Sequence, residues 1–170
     1  MTQAHWELSH RRLELKMAFD AGMVSVLRRF VEQAAERLGV EESGAEAVAM
    51  AAHELAENVA KYSVDRQATV SLDLQPDGEQ ARLVLTVSNL APPKHIDRLR
   101  ELFRAMSETP DPMILYFGLL GRTVPEGESG LGLARIQAEA DMKLDLDVEG
   151  QRVSISGVSL PFTPADEETV

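Results

Sequence analysis

Paired runs of alternating apolar and polar residues constrain this chain more than any other feature. Residues 68–74 and 81–88 alternate, and Pro76-Asp77-Gly78 lies between them as a turn signal. Residues 143–149 and 152–160 repeat the pattern about Gly150. Runs joined this closely form hairpins, and hairpins pair strands antiparallel. The second half of residues 6–19 also alternates and reads as a further strand, in one or two pieces.

Helical periodicity fills the gaps. In 22–38 the residues Val24, Leu27, Phe30, Val31, Ala34, Ala35 and Leu38 recur at three-and-four spacing and stop at Gly39. A second helix is predicted from an N-cap at Ser43, with Glu46 as capping-box partner, to about Tyr62. Alanines dominate its apolar stripe, so it should pack closely on a neighbour. After Pro92-Pro93, residues 94–106 place Ile96, Leu99, Leu102 and Phe103 on one face. Residues 107–129 resist assignment and read as a long irregular loop around the apolar knot Met113-Ile114-Leu115-Tyr116-Phe117. Residues 130–141 read as a short helix. This order implies an α+β two-layer sandwich, its sheet mixed but mostly antiparallel and covered on one face by helices. Residues 1–163 form one domain in this reading, and 164–170 an acidic, solvated tail.

Composition excludes several functions. The chain has no cysteine, so disulfide scaffolds, zinc thiolates, iron–sulfur clusters and cysteine nucleophiles are ruled out. Its net charge of −11 opposes direct binding to nucleic acids or anionic lipids. No stretch has the apolar length of a membrane helix, and no signal peptide is evident, so a cytoplasmic location is expected. His5, His10, His53 and Glu57 lack a credible metal-ligand spacing, and Ser129 lacks the nucleophile-elbow pattern.

Two segments carry chemistry. In the second predicted helix, Glu54, Asn58 and Lys61 stand at i, i+4 and i+7 and are expected to share a face. A carboxylate can orient or deprotonate a nucleophile, a carboxamide oxygen can ligate Mg²⁺, and an ammonium can meet a phosphate. The second segment, Gly127-Glu128-Ser129-Gly130-Leu131-Gly132-Leu133, runs from glycines into a helix start. Backbone N–H groups at such a start attract anions. Taken singly, each segment also fits a purely structural role.

Together, with a hairpin and a helix between them, they resemble the GHKL (histidine kinase-like) ATPase family. The segment from Glu54 to Tyr62 is similar to its N box, and Gly127 to Ile136 to its second glycine box. The N-terminal strand and long first helix resemble the anti-sigma-factor serine kinase branch. The resemblance implies bound ATP and Mg²⁺. Glu54 would be the catalytic carboxylate and Asn58 the Mg²⁺ ligand. Lys61 and Tyr62 would border phosphates and ribose, and Gly127, Gly130, Leu131 and Gly132 would hold phosphates. Residues 107–129 would be the lid. The implied partner is a STAS-domain antagonist or a sigma factor in a partner-switching pathway, and a homodimer is also implied.

The family's first glycine box reads Asp-x-Gly-x-Gly; here Asn89, Ala91 and Pro93 stand at those positions. Asn89 retains a side-chain oxygen to accept the adenine amino hydrogen, without charge. Alanine resists positive φ, and proline fixes φ and removes a donor. Two readings follow: an ATP-binding regulator with an altered adenine pocket, or a nucleotide-free pseudokinase serving as an interaction module.

Overall fold

A computed structural model describes residues 11–121 and 130–164. The order is β1 (Arg11–Ala18), α1 (Ala21–Arg37), α2 (Glu42–Tyr62), β2 (Gln67–Asp77), β3 (Gln80–Leu90), α3 (Pro93–Glu108), α4 (Pro112–Leu120), α5 (Leu131–Glu139), β4 (Lys143–Glu149), β5 (Arg152–Val158). The strands form one sheet in the order β1-β2-β3-β5-β4. Every neighbouring pair is antiparallel, so the expected parallel component is absent among the described residues. The reason lies in the last hairpin: the chain reaches the outer edge as β4 and folds back, inserting β5 beside β3.

The sheet has two unlike faces. Along β3, Ala81, Leu83, Leu85 and Val87 are buried against the helices. The opposite face carries a polar ladder in which Thr86 meets Ser156 at 2.9 Å and Ser88 meets Ser154 at 2.7 Å. Period-two patterning therefore sorts the residues as a one-sided sandwich requires.

Local signals set most boundaries. Asp20 Oδ1 accepts from the amides of Gly22 and Met23 at 2.8 and 2.9 Å, capping α1. At its other end Gly39 (φ 83°) donates to Glu36, and Val40 donates to Ala35, forming a Schellman turn. The β2–β3 ladder runs on to Asp77 and Gln80, so the turn is Gly78-Glu79, with Gly78 at φ 65°. Pro76 lies inside β2 rather than in the turn.

Two expectations are corrected. Ser43 does not cap α2: the helix starts at Glu42, and Ser43 Oγ donates to Glu41 Oε1 at 3.0 Å. The chain leaves the turn at Gly39 and becomes helical directly, with the Glu41 carbonyl accepting from Ala45 at 2.9 Å. The second correction concerns residues 107–121, which are not an irregular loop. They hold the end of α3 and all of α4. Asp111 caps α4 by accepting from the Met113 amide at 2.9 Å, and Pro112 occupies its first turn. Residues 122–129, the rest of the expected lid, lie outside the described residues, as do 1–10 and 165–170.

Helix α2 is the centre of the helical layer. Ala45, Ala49, Ala51, Ala52 and Ala56 are all buried, which lets α1 approach closely through Leu27, Val31 and Ala35. Leu55 and Val59 extend the same core toward the sheet. Burying each such large apolar side chain contributes about 1.5–3 kcal/mol.

Candidate functional site

Helices α2 and α5 meet at their polar ends, and their contact shapes the candidate site. Gly130 opens α5 in a left-handed backbone conformation (φ 63°), a region that disfavours a side chain. A Cβ there would stand 2.8 Å from Leu102 Cδ2 of α3. Gly132, the second residue of α5, faces Glu54. A Cβ at 132 would stand 2.3 Å from Glu54 Oε2, so glycine is what admits the carboxylate.

Glu54 is mostly buried, its side chain 14% exposed. Its Oε1 accepts from Arg135 Nη1 at 3.2 Å, and Arg135 Nε donates to Glu139 Oε2 at 2.7 Å. Tyr116 of α4 joins the chain at Glu139: burial first, then the bond to Glu139, pushes its phenol above the usual range. Glu139 is held below the usual carboxylate range, chiefly by Arg135. Arg135 was not singled out from the sequence. Its only local signal is the i,i+4 spacing to Glu139, because its contact with Glu54 spans 81 positions.

Asn58 lies one turn beyond Glu54 and lines a small cavity with Asn89, Ala91 and His95. Among the described residues its carboxamide makes no hydrogen bond. Asn89 Nδ2 donates to the Leu90 carbonyl at 3.1 Å. Ala91 is fully buried, its amide donating to Gln151 at 2.9 Å. Tyr62 stacks on His95 at a centroid distance of 4.1 Å and 17° between planes. Burial, then the nearby Arg98, lowers the His95 pKa, so its ring is neutral at pH 7. His95 is a second residue that sequence periodicity did not flag.

Lys61 departs from the expected grouping. Its ammonium donates to Glu57 Oε2 at 2.5 Å, an i,i+4 pair, and it lines a different cleft. Gly127 lies outside the described residues. Thus Glu54 meets Gly132 at the start of α5, beside Gly130 and Leu131; Asn58 and Asn89 line the cavity that His95 shares, with Tyr62 stacked on His95; and Lys61 lines the cleft beside α1.

One local consequence is testable. Gly132→Ala should turn the Glu54 carboxylate out and break its pair with Arg135. That pair is partly exposed and contributes about 1 kcal/mol or less, while alanine gains a similar amount over glycine in a helix. A crystal structure of the variant should show a displaced Glu54, and thermal denaturation a stability within about 1 kcal/mol of the parent.

The chain matches the model of the histidine kinase-like ATPase domain over residues 17–156. It belongs to that family. The backbone of this histidine kinase-like ATPase domain also superposes on a chain from the crystal structure of the SiaB–SiaC complex from Pseudomonas aeruginosa. The TM-score is 0.61 and the identity 16%, covering 86% of this chain and 88% of that chain. At that identity the likeness speaks for the fold. None of the curated proteins matches the chain.

The residues can be tested against ATP and Mg²⁺, the groups this family implies. At the phosphate end they suit them: Asn58 offers a carboxamide oxygen, Glu54 a carboxylate, and Gly130 caps α5 in a left-handed conformation. At the base end they do not in this conformation. The cavity beside Asn58 and Asn89 holds about 10 Å³, room for roughly one water. No described helix is long and apolar enough to cross a membrane.

Proposed function

We propose that the chain binds ATP with Mg²⁺ at the α2–α5 junction and transfers its γ-phosphoryl group to a serine or threonine of a partner protein. The observation that carries this reading is the close approach of the Glu54 carboxylate to Gly132 at the glycine-capped start of α5, with Asn58 one turn farther along α2 in the adjoining cavity. In the proposed roles, Asn58 would hold Mg²⁺ by its carboxamide oxygen with Glu54 nearby, and Glu54 would take the hydroxyl proton of the acceptor. The amides of Leu131 and Gly132 would meet the phosphates. Asn89 would accept from the adenine amino group. The substrate is a protein in a partner-switching pathway, either a STAS-domain antagonist or a sigma factor. The solved SiaB–SiaC assembly, a complex of two proteins, supports a protein partner. β1 is an edge strand of the sheet among the described residues, and its exposed Leu13 supports a homodimer as well.

The direct test is incubation with γ-labelled ATP and purified STAS-domain and sigma-factor candidates. Label on a partner serine or threonine is the expected result, and label on none of them despite bound ATP contradicts transfer.

The small base-end cavity favours a second reading, a pseudokinase that acts as an interaction module. His95 separates the two. Its ring occupies space beside Asn89 and is held by Tyr62. His95→Ala should open the pocket and tighten ADP binding by about three- to tenfold, or roughly 1 kcal/mol, read by calorimetry. Unchanged affinity would place the base elsewhere.

A further inference from the structure

A second cleft lies on the other side of α2, between its C-terminal half, the first turns of α1 and the loop into β2. It encloses about 570 Å³, within the size range of small-ligand pockets. Asp20, Ser25, His53, Glu57, Lys61 and Arg66 line it, above an apolar floor. Glu54 and Asn58 take no part in it.

The acceptors of this cleft are largely committed. Asp20 Oδ1 is taken by two amides of α1. Glu57 receives Lys61 on one oxygen and faces His53 Nε2 at 3.4 Å on the other. The donors are not. Among the described residues, the Arg66 guanidinium enters no hydrogen bond or ion pair, nor does the Ser25 hydroxyl. Lys61 keeps two N–H groups beyond the one given to Glu57. Arg66 is also one of two non-glycine residues with positive φ among the described residues, at 57°. That conformation disfavours a side chain, and its carbonyl is pinned by the Phe19 amide at 2.7 Å. The pinned backbone sets where the Arg66 side chain leaves the chain, beside the cleft that it lines.

A cleft whose uncommitted side-chain groups are mostly donors, with Asp20 Oδ2 the remaining carboxylate oxygen, complements a hydrogen-bond acceptor bearing negative charge. The overall charge of −11 repels extended polyanions, so the fitting ligand is small. We infer that this cleft binds a single oxyanion group, a phosphate or a carboxylate, gripped by Arg66 and Lys61 with Ser25 at the rim.

The test is an amide chemical-shift titration of the full chain with inorganic phosphate and, separately, with acetate, against sodium chloride at equal ionic strength. Saturable shifts at Ser25, His53 and Lys61 are expected with at least one anion. A response to phosphate alone assigns a tetrahedral ligand, and a response to both assigns a general oxyanion site. Arg66→Gly removes the cation and suits the left-handed backbone, so its melting temperature should equal or exceed the parent's while anion affinity falls at least tenfold. Asn58→Ala should leave the titration unchanged, which separates this cleft from the proposed nucleotide site. No saturable shift beyond chloride, equal affinity in Arg66→Gly, or loss confined to Asn58→Ala would each overturn the inference.

Discussion

Glu54→Gln is expected to lower phosphoryl transfer to the partner by about 10²–10⁴-fold while nucleotide affinity changes by less than about threefold. Glutamine keeps the shape of the side chain and one oxygen for Arg135, so the junction should hold. What it loses is the capacity to accept a proton from the attacking hydroxyl. The stability change should be small, about 1 kcal/mol or less, because the Arg135 side chain is 43% exposed and its pair with Glu54 is screened. Single-turnover kinetics with labelled ATP would check the rate and calorimetry the affinity. Equal turnover in parent and variant would remove Glu54 from the chemistry.

Asn58→Ala should act on binding instead. Without the carboxamide oxygen the cation loses a hard donor, and the phosphates lose the charge that would bridge them to α2. The expected result is loss of Mg²⁺-dependent ATP binding, about 100-fold or more, with the fold intact because Asn58 makes no side-chain hydrogen bond among the described residues. Circular dichroism would establish the fold and titration calorimetry the loss. Unchanged affinity in a folded Asn58→Ala protein would take that residue out of the site.

The two variants probe a junction that the sequence disclosed unevenly. Hairpins, the alanine-lined α2 and the helix after Gly130 were legible because periodicity and turn chemistry are local. Helix α4 was not, although Asp111 and Pro112 form a cap-and-start pair. The run Met113 to Leu120 is apolar all round, so it has no helical asymmetry to read, and the nearby prolines and glycines looked like breakers. Ser43 misled for the opposite reason: a good capping residue sits second in a helix that starts at Glu42 with Glu41 as its N-cap.

Within the site, spacing placed Glu54 and Asn58 on one side of α2 but did not show that Lys61 would be drawn to Glu57. Arg135 and His95 were invisible because their partners, Glu54 and Tyr62, are far away in sequence. Gly132 was read only as a phosphate-facing residue. The structure adds a second reason for glycine there, the close approach of the Glu54 carboxylate.

The central claim is that this junction holds a nucleotide, and calorimetric titration of the full chain with ATP and ADP, with and without Mg²⁺, tests it most directly. The account predicts saturable binding of ATP that requires Mg²⁺. No heat at millimolar nucleotide, with or without the metal, would contradict it and leave the interaction module as the standing function.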